Sequence, residues 1–334
     1  MADHPTDPSS EPMPAEPWAA RTTMDVLEVA GVDAAAYLQG QLSQDVAGLA
    51  VGGWAHALLL EPQGKMCAWM RVHRAAADAF DLVVDAGFGE LVAQRLRRFW
   101  LRSKAELTVR PGVPALAVRN WPVGQTAPDP TVGSNVEATP ADRLLLAPVD
   151  WPRHRGFDVI GAGAVAPDGV RVIEGDVGAA ALLLARVEAG VPAMGSEIGP
   201  DTIPAAAGVV EASVSFTKGC YTGQELVARV DSRGNRTPNR LVRLAGEGTA
   251  PEPGTQLSVD GTERAVVTSA VTDVSAKEAT DAVPHVGAWL GLGYLHRSVE
   301  TPAELRTSAN TSATAVAISN AFIAKQPSPT IAQT

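Results

Sequence analysis

The stretch TQLSVDGTERAVVTSAVTDV, residues 255–274, alternates apolar and polar side chains on both sides of an Asp-Gly pair at Asp260 and Gly261. A period of two belongs to strands buried on one face, and Asp-Gly between such runs is a strong hairpin signal. The neighbouring runs LVRLAG (241–246), VGAWLGLGYLHR (286–297) and TSATAVAIS (311–319) share this texture and are separated by Gly, Pro and polar residues. Together they predict a small antiparallel β-barrel over residues 239–322. A loose tail with Pro327 and Pro329 follows at 323–334.

Upstream the pattern changes. MDVLEVAG (24–31) reads as a strand that turns at Gly31 into a helix, with Asp33 as N-cap and Leu38, Leu42, Val46 and Leu49 at helical spacing. AHALLLEPQGKMCAWMRVHR (55–74) is two apolar runs around a Pro-Gln-Gly-Lys turn, hence a hairpin. AFDLVVDAG (79–87) is a further strand. An amphipathic helix over 88–104 buries Leu91, Val92, Leu96, Phe99 and Trp100 and leaves Arg95, Arg97 and Arg98 mostly solvated. Strands at 105–110, 115–120, 143–147 and 157–160 flank a Pro- and Gly-rich loop at 121–140, and a helix at 177–189 stops at Gly190 and Pro192. Strands mixed with a few helices, without regular alternation, give an α+β class for residues 21–238, in two subdomains. Residues 1–20, rich in Pro and acidic side chains, read as a disordered tail, with order beginning near Met24.

The 334 residues are 46% hydrophobic, enough for a sizeable core, and carry a formal net charge of −10. That balance repels phosphate backbones and anionic lipid, so neither direct nucleic-acid binding nor membrane-surface binding is expected. Neither a signal peptide nor an apolar run long enough for a bilayer span is present, and two cysteines are too few for a disulfide framework. A soluble cytoplasmic monomer is expected. The six histidines show no metal-ligand spacing, so no metal site is expected. The run FDVIGAGAVAPDG (157–169) imitates a dinucleotide-binding turn, but Pro167 and Gly169 would break the helix that must follow.

Chemistry concentrates in FTKGCYTGQELVARVDSRGNR, residues 216–236. Cys220 stands ahead of a helix-forming run, where the helix dipole and the Lys218 charge both favour a thiolate. On local context alone two readings stand, a reactive sulfur and a small buried hydrophobe. Glu225 and Arg229, four apart, can pair along one helical face.

KGCYTGQE (218–225) followed by VAR resembles the signature of the YgfZ family, folate-binding relatives of the glycine-cleavage aminomethyltransferase. GVDAAAYLQGQLSQDV (31–46), LARVEAGVPAMGSEI (184–198) and the barrel opening at 255–271 are similar to segments that the two families share, so the resemblance runs from about residue 24 to 318. It implies mixed α/β folate-binding domains with a C-terminal barrel, and tetrahydrofolate or a derivative as cofactor. It also implies a role in assembly or repair of iron–sulfur proteins, and through them in tRNA modification. Partners would be iron–sulfur clients or the assembly machinery. Cys220 with Lys218 would be the reactive pair. Glu188 beside Arg186 would read the pterin, with Asp85, Tyr221 and Gln224 as further folate contacts. Arg229 would hold the glutamate tail or pair with Glu225.

One departure bears on activity. Aligned on Gly64, the paired aspartates of the aminomethyltransferase fall on Ala68 and Trp69, neither of which can act as a carboxylate. Aminomethyl transfer by that route is therefore not expected. Cys67, in the same hairpin, reads as an inward strand residue without a disulfide to Cys220. Two alternatives stand: a tetrahydrofolate-dependent one-carbon transferase using Glu61 or Asp85, and a thiol oxidoreductase without folate.

Overall fold

The computed structural model describes residues 16–100, 103–129, 143–272, 288–307 and 312–318. Its organising element is β1 (Trp18–Ala30), which pairs along one edge with β5 (Glu106–Arg119). Its other edge is divided between β4 (Ala79–Asp85) and, in parallel, the short β8 (Arg171–Ile173). The division falls between Ala20 and Met24, and just beyond it, between Met24 and Val26, the pairing with β5 has a bulge. There the buried Asp25 carboxylate accepts hydrogen bonds from the backbone of Gly87, Gly89 and Gly112 at 2.8–2.9 Å. Three donors on one carboxylate satisfy a charge that would otherwise be costly inside the sheet.

Outward from β4 lie β3 (Met66–Ala76) and β2 (Trp54–Leu60); outward from β5 lie β7 (Gly156–Ile160) and β6 (Leu145–Val149), completing an eight-stranded sheet. Helices α1 (Ala34–Gln41), α2 (Gly89–Arg97), the short α4 (Val210–Ser213) and α5 (Gln224–Asp231) cover one part of it, around a core containing Leu27, Leu38, Leu58, Phe80 and Leu96. Helix α3 (Gly175–Ala189) lies over the other part and ends on Gly190 in the left-handed conformation. Strands β9 (Asn239–Glu247), β10 (Gln256–Val259), β11 (Thr262–Thr272), β12 (Ala288–His296), β13 (Ala303–Arg306) and β14 (Ser312–Ala317) close into the expected barrel, filled by the buried Trp289. The α+β class with a C-terminal antiparallel barrel is thus the observed architecture.

Several details differ from the sequence expectation. Order starts before Met24: β1 begins at Trp18, Ala20 is fully buried under α3 and Ala19 is fully buried on the other face with Leu116 and Phe157, so the tail read at 1–20 does not include 18–20. Residues 1–15, 130–142 and 319–334, with the tail and loop expected there, lie outside the described residues. The two strands expected at 105–120 are one continuous strand, which pairs with β1 on both sides of the bulge opposite Pro111 and Gly112. Asp33 holds the N-cap position of α1 as expected but makes no side-chain capping hydrogen bond; its Oδ2 accepts the backbone N–H of Lys104 at 2.7 Å. Arg95 is not solvated. It turns inward at 2% exposure, donates to the Leu60 carbonyl at 2.7 Å and lies over the Phe99 ring. Among the described residues no helix is long and apolar enough to cross a membrane.

Candidate functional site

A cavity of about 280 Å³ opens on the sheet face beneath α3. Its apolar walls include Met24, Met70, Val83, Leu182 and Leu183, and its polar groups include Asp85, Arg186, His56, Arg71, Arg119 and Asp158. The volume is close to the lower end of ordinary ligand pockets, roughly 300–1,000 Å³. It has room for a fused bicyclic ring.

Asp85 ends β4 at the cavity. Its Oδ2 accepts the Met194 backbone N–H at 2.8 Å, and Oδ1 has no protein partner among the described residues. Burial pushes its pKa up, against the opposing pull of the Met194 hydrogen bond and of Arg186 and Arg71. Arg186 reaches the cavity from α3. It donates to Glu197 Oε2 at 2.7 Å, to the Val191 carbonyl at 2.9 Å and to Ser269 Oγ of β11 at 2.7 Å. Glu197 is itself buried and accepts from Ala193 N, Thr268 and Ser269, so one carboxylate ties α3 and the 190s segment to the barrel.

The floor is ionic. Asp158 receives Arg119 and Arg71, each at 2.8 Å. Burial opposes ionisation of Asp158, yet the two guanidiniums outweigh it and hold the carboxyl below the usual range. Arg119 also lies over the Trp151 ring at 4.4 Å. Beside them His56 stacks on Trp69, with centroids 5.1 Å apart. Desolvation, and then the Arg71 charge, lower the His56 pKa to about 4, so its imidazole is neutral near pH 7.

Of the residues read from the sequence, the structure brings Asp85 and Arg186 together in this cavity. Glu188 is not among its lining residues. Positions two apart on a helix point about 200° from each other, so Arg186 and Glu188 cannot face the same space. The Glu188 carboxylate instead meets His154 Nε2 at 2.6 Å, and its backbone carbonyl accepts from Arg243.

Cys220 lies elsewhere. It is exposed, three residues before Gly223, the left-handed N-cap of α5, and Gln224 Nε2 is 4.0 Å from its sulfur. The loop is seated on the tip of the β2–β3 hairpin: a Cβ on Gly223 would meet the Glu61 carbonyl at 2.7 Å, and one on Gly64 would meet Leu226 Cβ at 2.5 Å. Trp69, which lines the cavity, is five residues along the strand from Gly64, roughly 16 Å. No residue of 216–229 lines the cavity, so Tyr221, Gln224 and Arg229 lie outside its walls.

Lys218 does not serve the thiol either. Its ammonium donates to the carbonyls of Gln39, Leu42 and Gln44 at 2.5, 2.6 and 3.1 Å, closing the C-terminal end of α1. Burial lowers its pKa to about 8, with Asp45 opposing. Gln224 Oε1 accepts the Tyr221 N–H at 2.9 Å, Tyr221 packs on the core, and burial pushes its phenol up to about 12. Glu225 and Arg229 form no ion pair.

Sequence reading missed His56, Arg71, Arg119, Asp158 and Glu197. A usable signal was present in GFDVI, where a single carboxylate interrupts an otherwise apolar strand. Of the alternative carboxylates, Asp85 reaches the cavity, whereas Glu61 faces Arg95 and Arg98 at the hairpin tip. Ala68 is buried in the core, and Trp69 turns its indole to the cavity, so neither of these positions supplies a carboxylate.

No family model matches the chain. Among individual proteins, it is 30% identical over 230 residues to the tRNA-modifying protein YgfZ of Sodalis glossinidius, covering 66% of this chain and 69% of that one. It is 28% identical over 266 residues to the protein of the same name from Klebsiella pneumoniae, covering 74% and 75%. Other relatives are spanned over about two thirds of their length. Among solved structures, the aminomethyltransferase T of the Bartonella henselae glycine cleavage system superposes with a TM-score of 0.66, at 18% identity, over 91% of this chain and 86% of that one. That likeness concerns the fold.

Proposed function

The chain belongs to the family of the tRNA-modifying protein YgfZ, and from that premise we propose that it binds a reduced folate in the cavity under α3 and supports iron–sulfur proteins through Cys220 on a separate surface. The observation that carries the reading is Asp85: a half-buried residue whose carboxyl keeps one oxygen unpartnered among the described residues, at the wall of a cavity of bicyclic size. A carboxylate oxygen accepts from the amino-pyrimidine edge of a pterin, and the apolar walls suit its ring faces. Arg186, held in place by Glu197, lines the same cavity with a fixed positive charge. His56 stays neutral and can accept or donate one hydrogen bond without adding charge. A bound reduced folate supplies one-carbon chemistry.

Trp69 offers no carboxylate at the position that serves aminomethyl transfer, so this activity is not part of the proposal. The thiol at residue 220 is accessible to a large partner, whereas Cys67 is buried and its pKa is raised to about 11, by burial and then by Glu61.

Calorimetric titration with tetrahydrofolate under anaerobic conditions tests the reading. Losing a hydrogen bond to a charged group, about 1.5–3 kcal/mol, corresponds to roughly 10- to 100-fold weaker binding for Asp85→Ala. Glu188→Ala weakens binding less, because its carboxylate faces His154, and Cys220→Ala leaves it unchanged. In cells lacking the protein, Cys220→Ala fails to restore iron–sulfur enzyme activity. Wild-type protein that does not bind tetrahydrofolate, or Asp85→Ala that binds it equally well, overturns the reading. The presence of Asp85 in the cavity favours one competing reading, a one-carbon transferase. Asp85-dependent methylene transfer to an amine in a purified assay would establish it.

A further inference from the structure

The 23 residues from Lys218 to Arg240 carry five basic and two acidic side chains, a net of +3, in a chain whose total is −10. Three of the five, Arg229, Arg233 and Arg236, are exposed and have neither an ion-pair nor a hydrogen-bond partner for their guanidiniums among the described residues. Elsewhere on the surface Arg21 pairs with Glu174, Arg97 with Glu90 and Arg98 with Glu61, whereas Arg153, Arg171 and Arg297 have no ion pair among the described residues, so what sets these three apart is that they fall within eight residues of one another. The three lie close together. Arg229 is on the last turn of α5, and the chain then folds back, with Asn235 N–H bonded to the Val230 carbonyl at 3.0 Å. Helix α5 is only about 12 Å long, so the arginines and Cys220 occupy its two ends within one partner's reach. Phe216, on the strand of chain leading to Cys220, is 54% exposed.

We infer that this ledge docks an acidic segment of a partner protein and thereby brings the partner to Cys220. The inference rests on the proposed role of Cys220 and names the chemistry its clients present. A protein segment fits better than a nucleic acid. The ledge is one short island in a chain whose other residues sum to −13, so a polyanion extending beyond it meets net repulsion. An acidic peptide needs only the island. Arginine and an exposed aromatic ring are also the residue types enriched in protein–protein contacts.

Thiol–disulfide exchange reads docking directly at the sulfur. Glutamate-rich and glutamine-rich peptides, each ending in a cysteine activated as a 2-thiopyridyl disulfide, are mixed with the full chain. The Cys220 thiolate attacks the peptide sulfur, a new S–S bond forms, and pyridine-2-thione leaves with the electron pair and is followed by absorbance. Cys220→Ser provides the blank. The expected result is about tenfold faster transfer from the acidic peptide at low salt, converging with the neutral peptide at high salt. That ratio falls to near one in the triple variants Arg229→Glu/Arg233→Glu/Arg236→Glu and Arg229→Gln/Arg233→Gln/Arg236→Gln, whose thermal melts match wild type, and persists in Arg171→Glu. Equal rates for both peptides in the wild type, or a ratio that survives in the triple variants, overturns the inference. So does unfractionated tRNA that protects Cys220 through the three arginines while the acidic peptide shows no rate advantage. Folate titration is independent of every one of these outcomes.

Discussion

Gly223→Ala tests the seating of the cysteine loop on the hairpin. The native residue has φ +82°, and the added Cβ would stand 2.7 Å from the Glu61 carbonyl oxygen and 2.8 Å from Leu60 Cβ. A left-handed conformation costs a non-glycine residue about 1–2 kcal/mol. Forcing extra volume against backbone and a core side chain costs about 1–3 kcal/mol more. The expected destabilisation is therefore about 2–5 kcal/mol, read as a lower urea midpoint at unchanged slope. Gly219, four residues earlier in the same motif, is an internal control: its Cβ would meet nothing within 4 Å, so Gly219→Ala should stay within about 0.5 kcal/mol. Gly64→Ala strikes the same interface from the hairpin side, where φ is +78° and Leu226 Cβ lies at 2.5 Å. Once either alanine lifts the loop, the second meets less resistance, so the double variant should fall short of the sum by more than about 0.5 kcal/mol. Strict additivity, or a Gly219→Ala cost equal to that of Gly223→Ala, would refute the packing account.

Arg186→Met leaves the buried Glu197 carboxylate without its cation and should destabilise the fold by about 3–5 kcal/mol in thermal or urea unfolding; adding Glu197→Gln to the same chain should recover part of it. His56 carries a pH signature. Its folded pKa of about 4 lies below an unfolded value of about 6.5, so between these limits the unfolded chain binds more protons. The stabilisation is complete above about pH 6.5 and is lost as the pH falls towards 4, and urea midpoints of His56→Gln should show a flatter slope across that window than wild type.

The alternation at 255–271, the Pro-Gln-Gly-Lys turn and the glycine stop at residue 190 each depend on side chains a few positions apart. The barrel, the hairpin and the end of α3 were therefore legible from local pattern. The exposure of Cys220 was not, because local context allowed a small buried hydrophobe as readily as a reactive sulfur, and the structure decided between them. The cavity is a different matter. Arg71, Arg119 and Asp158 come from β3, β5 and β7, and only the register of strands far apart in the chain brings their charges together. The direction of a side chain was equally out of reach. Arg186 turns to the cavity while Glu188 turns to His154, and Lys218 spends its ammonium on the end of α1 rather than on the thiol two residues away. Periodicity along a chain tells which face of an element is buried; the tertiary contact decides what that face meets, because a buried charge takes whichever partner the fold brings within hydrogen-bond distance.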